Sequence, residues 1–264
     1  MLSRSLDQFF TRPAVAKHCL QYVNAHCTGD NWLWIEPSAG QGAFLDLMDF
    51  PKIGIDICSG RNDVLRADFL EWQPCGLDQS GRKIAVIGNP PFGKNASLGR
   101  KFFDHAANFA DVIAFILPRT FEKPGFINRL NRHMHLVFSQ VLEKWAFEFD
   151  GEPYDVPTVF QIWEKREALR PILKPSLTHG DFDFVPPGIA DFAFQRVGAR
   201  AGLVSYEGLR KSPQSHYFLR ANGQPRVLFN RLRSINWEPI KWRTAGNPSI
   251  GKAELVTAYM EAMG

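Results

Sequence analysis

A short apolar run that ends in a glycine, an asparagine and two prolines constrains this chain more than any other stretch. Residues 83–87 are almost wholly apolar and short enough for a buried strand. Gly88, Pro90 and Pro91 end that strand and leave Asn89 in a loop at its carboxyl end, the edge where open α/β sheets bind ligands. The prolines lack N–H groups and fix the backbone, so the carbonyls of Asn89 and Pro90 face outward without sheet partners. We expect a rigid pair of acceptors that suits an NH2 group.

Strand and helix patterns alternate over residues 1–165. Apolar residues at helical spacing predict helices at 13–25, 45–48, 98–106 and 124–132. Short apolar or β-branched runs predict seven strands, at 32–35, 52–56, 64–70, 83–87, 112–117, 136–142 and 156–163. The last two strands form a hairpin-like pair. This order predicts a Rossmann-like α/β fold with a mainly parallel, seven-stranded sheet.

A glycine-containing turn follows the first predicted strand. Gly40 and Gly42 let the backbone approach a ligand closely, and the helix predicted after them would present free N–H groups to a carboxylate. The second strand ends in Asp56, whose carboxylate can accept hydrogen bonds from two vicinal ribose hydroxyls. A helix cap is the alternative role for this acid. Together these residues predict a site for a nucleotide-type cofactor.

Asn89, Pro90, Pro91 and Phe92 form a motif that resembles the (N/D)PP(F/Y) motif of class I S-adenosylmethionine-dependent methyltransferases, above all those that modify N6 of adenine. The resemblance implies that the Asn89 side-chain oxygen and the Pro90 carbonyl accept hydrogen bonds from the target amine, and that Phe92 stacks on the base. Two such acceptors favour the more pyramidal, more nucleophilic form of the amine. All four residues are therefore candidate catalytic residues. The implied reaction is direct methyl transfer, without a metal or a covalent enzyme intermediate.

The resemblance extends to motifs before Asn89. The segment 7–13 (DQFFTRP) resembles the QF(F/Y)TP segment that covers the methionine end of the cofactor, with Arg12 inserted. The segment 36–44 (EPSAGQGAF) is similar to the cofactor motif (D/E)PxxGxGxF, and Asp68 with Phe69 is similar to the motif that binds the cofactor's adenine. The cofactor-binding residues that the resemblance implies are Phe10, Thr11, Glu36, Ser38, Gly40, Gly42, Phe44, Asp56, Asp68, Phe69 and Asn89.

Three further residues are candidates for substrate binding. Lys94 extends the motif to a stretch that is also similar to small-subunit rRNA adenine methyltransferases. Phe147 and Phe149 lie in an aromatic-rich predicted loop, where related enzymes place an aromatic side chain on the second face of the extruded base. Packing of these aromatic side chains in the core is the alternative, as it is for Phe10 and Phe69.

The end of the chain differs from the rest in charge. Residues 1–165 carry 17 Lys and Arg against 19 Asp and Glu, a balance of −2, whereas residues 166–264 carry 14 against 8, a balance of +6. Short strand patterns and a final helix at 252–263 predict a small α+β extension there. We expect a methyltransferase domain at 1–165 and a basic extension at 166–264 that contacts nucleic acid, with a solvated basic surface as the alternative.

Composition disfavours several other classes of protein. Four cysteines without a CxxC pair and without clustered histidines predict free thiols and no metal site. No apolar run reaches the roughly 18 residues of a membrane span, and the first residues lack the apolar core of a signal peptide. We expect a cytoplasmic protein, nucleoid-associated in a prokaryote, without a membrane partner.

N6 methylation of adenine in DNA is the first function that these patterns predict. The same chemistry on RNA is the second. N5 methylation of a protein glutamine is the third, because that amide also offers a planar NH2 group. A cofactor-binding partner without activity is the fourth, and the intact Asn89 argues against it.

Overall fold

The computed structural model describes residues 9–49, 51–75, 81–244 and 246–263. Asp7 and Gln8 of the segment predicted to cover the cofactor lie outside the described residues. The chain forms two compact units, Met1–Ile172 and Leu173–Gly264. The division thus falls after Ile172, whereas the sequence predicted it after residue 165.

A seven-stranded sheet forms the centre of the first unit. The strands of this unit are β1 (Phe10–Thr11), β2 (Trp32–Pro37), β3 (Lys52–Asp56), β4 (Val64–Arg66), β5 (Lys83–Gly88), β6 (Val112–Pro118), β7 (Met134–Val141), β8 (Phe147–Phe149), β9 (Glu152–Tyr154) and β10 (Thr158–Lys165). The sheet has the order β4-β3-β2-β5-β6-β10-β7. Neighbouring strands from β4 to β6 are parallel, and β10 is antiparallel to β6 and β7. The predicted Rossmann-like α/β fold with a mainly parallel sheet is confirmed.

Side chains alternate between the two faces of this sheet, because successive residues of a strand point to opposite sides. On β2, Leu33 and Ile35 belong to one buried cluster and Trp32 and Trp34 to the other. The helices of the unit are α1 (Pro13–His26), α2 (Ser97–Ala106) and α3 (Pro124–Ile127). Buried residues of α1 join the cluster of the two tryptophans, and those of α2 join the opposite one. Burial on both faces explains why the strands are nearly continuous apolar runs.

The strand order reverses beside β2, which pairs with β3 on one side and with β5 on the other. The carboxyl ends of these three strands therefore meet at one edge of the sheet, the position where doubly wound sheets bind ligands. Gly88 permits close contact there, since a Cβ on this residue would lie 3.3 Å from the carbonyl oxygen of Pro37. This arrangement brings the glycine turn, Asp56 and the loop at Asn89 to the same edge.

Two elements next to this edge are shorter than predicted. The helix expected at 45–48 is a single 3-10 turn, Leu45–Leu47, because Pro51 and the start of β3 follow too soon for a longer helix. The strand expected at 64–70 ends at Arg66. Just beyond it, the carbonyl of Asp68 accepts hydrogen bonds from the N–H groups of Glu71 and Trp72, and these bonds form a turn.

The helix expected at 124–132 ends at Ile127. Beyond it, the N–H groups of Arg129 and Leu130 donate to carbonyls three residues earlier, which is the bonding of a 3-10 turn rather than of an α-helix.

The aromatic-rich segment predicted as a loop is a hairpin. β8 and β9 pair antiparallel, and β1 pairs with the other edge of β8. Asp150 and Gly151 connect the two strands with φ of 50° and 80°, the left-handed pair that a tight type I′ hairpin turn requires. The hairpin and β1 therefore form a small three-stranded sheet.

The second unit is a small α+β structure. Its strands form an antiparallel sheet of order β11-β14-β12-β13: β11 (Phe182–Phe184), β12 (Phe192–Gln195), β13 (Val204–Ser205) and β14 (His216–Ala221). Its helices are α4 (Pro225–Ser234), α5 (Glu238–Lys241) and α6 (Lys252–Met263). The bounds of α6 coincide with the predicted helix. The sequence did not predict α4, which buries Leu228 and Leu232.

Candidate active site

A cavity of about 620 Å³ lies at the carboxyl edge of the large sheet. It is lined by the turn after β2, the end of β3, the turn after β4, the loop after β5, and β1. Most of the predicted site residues line it, namely Phe10, Thr11, Glu36, Ser38, Gly40, Gly42, Asp56, Asp68, Phe69, Asn89, Pro91 and Lys94. The predicted residues outside its lining are Phe44, Pro90, Phe92, Phe147 and Phe149.

The turn after β2 has a left-handed backbone at three positions. Ser38, Gly40 and Gly42 have φ of 60°, 53° and 83°. Glycine adopts this region without steric cost, whereas Ser38 pays about 1–2 kcal/mol, and such strain is concentrated at functional turns. A Cβ on residue 40 would lie 3.3 Å from Cε1 of Phe10. Glycine at this position therefore lets the Phe10 ring lie against the turn.

Arg61 holds the same turn, and the sequence analysis did not identify it. Its Nη1 donates to the Gln41 carbonyl at 2.8 Å and to Asp46 at 2.9 Å, and its Nη2 donates to Asp46 at 2.6 Å and to Asp63 at 2.7 Å. A Cβ on residue 42 would lie 2.5 Å from Nη1, so this arrangement requires Gly42. No sequence pattern marks such an arginine, because only the folded chain brings it to the turn.

Asp56 connects the end of β3 to the glycine turn. Its Oδ2 accepts the N–H of Gly40 at 2.8 Å, and its Oδ1 accepts the N–H of Cys58 at 2.7 Å. A carboxylate oxygen can accept more than one hydrogen bond, so both oxygens retain capacity for a ligand hydroxyl. The position of Asp56 in the cavity wall agrees with the predicted ribose contact, which stays a prediction.

Asp68 and Phe69 lie in the turn after β4 and line the cavity. Oδ1 of Asp68 accepts the N–H of Leu70 at 2.8 Å. Phe69 is 2% exposed and stacks on Phe102, with ring centroids 5.2 Å apart. Phe69 therefore belongs to both the core and the cavity wall.

Glu36 is a buried carboxyl group that stabilises the 3-10 turn. Its Oε2 accepts the N–H of Leu45 at 2.6 Å, and its Oε1 accepts the N–H of Phe44 at 3.4 Å. Burial raises the pKa of Glu36 to about 8, although these two N–H groups oppose the rise. Glu36 thus accepts hydrogen bonds from N–H groups that the sequence predicted to be free for a ligand carboxylate. Phe44 is completely buried in the core, and its predicted contact with a cofactor stays a prediction.

The Asn89 side chain has an incomplete set of hydrogen bonds. Its Nδ2 donates to the carbonyl of Phe9 at 3.0 Å, whereas its Oδ1 is buried and has no hydrogen-bond partner among the described residues. The opposite orientation of the amide would place Oδ1 against the Phe9 carbonyl, and two acceptors repel each other. Burial of an acceptor without a donor costs about 1–3 kcal/mol. A ligand N–H group in the cavity would remove that cost.

The aromatic side chains predicted to contact the substrate are largely covered. Phe147 is completely buried and Phe92 is 8% exposed. Their ring centroids lie 6.4 Å and 6.5 Å from that of Phe9. Phe147 packs in the core, which was the alternative to its predicted stacking role, and that role stays a prediction. The partly exposed Phe149 lies 6.0 Å from Phe9, and its role, like that of Phe92, stays a prediction.

Carboxylates outnumber cations on the cavity wall. Lys94 is accompanied there by the carboxylates of Asp46, Asp56, Asp68 and Glu148. Glu36 also lines the wall, but its raised pKa of about 8 leaves it largely uncharged at neutral pH. Ion pairs offset two of these acids, since Asp46 pairs with Arg61 and Glu148 lies 3.6 Å from Arg12. The remaining balance suits a ligand that carries positive charge.

No protein-family model and no curated protein sequence matches this chain. Among solved structures, the chain is similar to a "putative RNA methyltransferase" from Pyrococcus horikoshii, with a TM-score of 0.48 and 18% identity over 61% of this chain and 87% of that one. It is similar to the type I restriction-modification system methyltransferase subunit from Streptococcus thermophilus, with a TM-score of 0.45 and 11% identity over 90% of this chain and 59% of that one. It is also similar to magnesium protoporphyrin IX methyltransferase from Synechocystis with bound SAM, with a TM-score of 0.41 and 10% identity over 58% of this chain and 78% of that one.

The described ranges contain neither a metal-binding cluster nor a membrane-spanning helix. No group of three or more His, Cys, Asp and Glu side chains in those ranges is arranged to hold a metal ion. None of the helices found there combines the length and the apolar character that crossing a membrane requires.

Proposed function

We propose that this protein transfers a methyl group from S-adenosylmethionine to the N6 amino group of an adenine in DNA. The observation that carries the proposal is the unpartnered Oδ1 of Asn89, a buried acceptor whose orientation the Phe9 carbonyl determines. An adenine amino group is a planar NH2 donor and would complete the hydrogen bonding of this oxygen. An acceptor placed there increases the nucleophilic character of the nitrogen as it reacts. The Pro90 carbonyl is the proposed second acceptor.

The cavity residues fit the proposed cofactor, which supplies an activated methyl group on a sulfonium ion. Asp56 would accept hydrogen bonds from the ribose hydroxyls. Asp68 would accept a hydrogen bond from the cofactor's adenine amino group, beside the ring of Phe69. The part of the cavity lined by Gly40 and Phe10 would hold the rest of the cofactor. The acidic wall favours a ligand with a sulfonium and an ammonium group.

The charge of the second half supports nucleic acid as the substrate. Residues 166–264 carry the balance of +6, and Lys and Arg bind phosphates regardless of sequence. A protein glutamine would have no use for that charge. The adenine would enter the cavity unpaired or flipped out of the duplex.

A labelling experiment tests this proposal. The protein is incubated with methyl-labelled S-adenosylmethionine and, separately, with unmethylated DNA, RNA of matched sequence and total protein, and the modified residue is identified by mass spectrometry. We expect N6-methyladenine in DNA, formed about 100- to 1,000-fold more slowly by the Asn89→Ala variant. Label in RNA alone would show that RNA rather than DNA is the substrate. Label in a protein glutamine would overturn the proposal that the substrate is a nucleic acid. Cofactor binding without any methylated product would indicate that the protein binds the cofactor but does not catalyse methyl transfer.

A further inference from the structure

The orientation of the Asn89 side-chain amide depends on a segment far from it in sequence. Its Nδ2 donates to the carbonyl of Phe9, 80 positions earlier in the chain. The terminal torsion of an asparagine side chain is broad and roughly two-fold, so the side chain alone does not select one orientation. A single acceptor on Nδ2 therefore decides the orientation of the amide.

Backbone pairing alone does not hold Phe9 firmly. Phe9 immediately precedes β1, a strand of two residues whose Phe10 and Thr11 pair with Glu148 and Phe147. So short a strand contributes few ladder hydrogen bonds, and small isolated sheets are marginally stable in water. The position of the Phe9 carbonyl must therefore depend on other contacts as well.

Side-chain stacking supplies those contacts. The ring of Phe9 stacks on that of Tyr154 in β9, with centroids 4.9 Å apart and planes within 5°. The rings of Phe92, Phe147 and Phe149 surround Phe9 at 6.0 to 6.5 Å. Aromatic pairs contribute about 0.5–1.5 kcal/mol beyond the area they bury. The hairpin thus secures the residue whose carbonyl orients the Asn89 amide.

We propose that Phe9 and Tyr154 are positioning residues for the reaction, because their stacked rings hold the Phe9 carbonyl where it directs Oδ1 of Asn89 toward the cavity. This inference rests on the proposed role of Asn89 as the acceptor of the target amine. Tyr154 does not line the cavity and acts through Phe9. The hairpin of β8 and β9 therefore controls turnover without contact to the reacting atoms.

Substitution of Tyr154 tests the proposal by steady-state kinetics. Tyr154→Ala should lower kcat about 10- to 100-fold, since misplacement of a catalytic group by a fraction of an ångström to 1 Å has effects of this size. KM for DNA and Kd for the cofactor should stay within about two-fold. Tyr154→Phe keeps the stacked ring and should restore kcat. Trp145→Ala removes a ring of comparable size that is 52% exposed and lies just before β8, and it should leave kcat unchanged.

A second measurement reports the amide orientation without catalysis. The side-chain NH2 signals of Asn89 in a 15N-labelled, deuterated sample are assigned by their loss in Asn89→Asp. In the unsubstituted protein we expect two well-separated proton shifts, because one N–H is bonded to Phe9. In Tyr154→Ala the two shifts should move toward those of a solvated amide, while in Tyr154→Phe they should not. Tyr154→Leu, which keeps bulk without an aromatic plane, replaces Tyr154→Ala if the alanine variant does not fold.

The outcomes separate this inference from the proposed function. Unchanged kcat and unchanged Asn89 shifts in Tyr154→Ala, or a rise in KM alone, would overturn the positioning role while methyl transfer remains. Absence of methyl transfer by the unsubstituted protein, together with Asn89 shifts that respond to Tyr154→Ala, would overturn the proposed function and leave the coupling of Phe9 and Asn89 intact.

Discussion

The N–H of Gly40 and the carboxylate of Asp56 form a hydrogen bond of 2.8 Å that joins the turn after β2 to the end of β3. The same carboxylate accepts the N–H of Cys58 at 2.7 Å. One side chain therefore holds two walls of the cavity together. Its oxygens are also the proposed acceptors of the cofactor's ribose hydroxyls.

Asp56→Ala should weaken cofactor binding about 10- to 100-fold, because hydrogen bonds to a charged group contribute about 1.5–3 kcal/mol. Isothermal titration calorimetry with S-adenosylmethionine measures the change. Asp183→Ala is the matched control, since Asp183 is an exposed acid that pairs with Arg220 and does not line the cavity. Equal affinity of Asp56→Ala and the unsubstituted protein would remove Asp56 from the site.

Asn89→Ala should lower the rate of methyl transfer about 100- to 1,000-fold, the usual effect of removing one group that stabilises a transition state electrostatically. Cofactor affinity should change little, since the proposed contact of the amide is with the target amine. Single-turnover assays and calorimetry on the same preparation separate the two effects. Retained turnover with lost cofactor binding would contradict the assigned role.

Gly42→Ala should weaken cofactor binding and lower stability by about 1–3 kcal/mol. The new Cβ would lie 2.5 Å from Nη1 of Arg61 and displace the guanidinium group from Gln41 and Asp46, in addition to the strain of a left-handed alanine, about 1–2 kcal/mol. Gly29→Ala is the control, because its φ of 84° is nearly the same and nothing lies within 4 Å of its Cβ. Urea denaturation measures both variants. Equal losses in the two would show that the contact with Arg61 contributes nothing.

The unfolding free energy should depend on pH through Glu36. Its pKa of about 8 in the folded protein exceeds the ordinary 4.5, so the folded state binds the proton more tightly than the unfolded state. The resulting stabilisation is complete below pH 4.5 and is lost as pH rises through 8. We expect a loss of about 3–5 kcal/mol across this window relative to Glu36→Gln. Urea denaturation of both proteins at several pH values checks this, and parallel pH curves would contradict it.

Local patterns were sufficient to predict much of the fold and most of the cavity wall. The apolar runs that became β2, β3 and β5 each precede a glycine, an acid or an asparagine, and parallel strands bring such ends to one edge. Asp56, Asp68 and Asn89 could therefore be assigned to a common cavity. Element lengths were less certain, because a turn stabilised by Glu36 replaced the expected helix.

The sequence alone determined the alternation of strands and helices of the α/β class, the glycine turn and the asparagine loop, since each depends on residues that are neighbours in the chain. Only the tertiary structure decided that Arg61 holds the glycine turn, that Phe147 is buried, and that the Phe9 carbonyl orients Asn89. These contacts join segments that are distant in sequence, and even the hydrogen bonds of Arg61 to Asp46 and Gln41 span 15 and 20 positions. Such contacts form because packing of the whole sheet brings the segments together, and no short pattern records that packing.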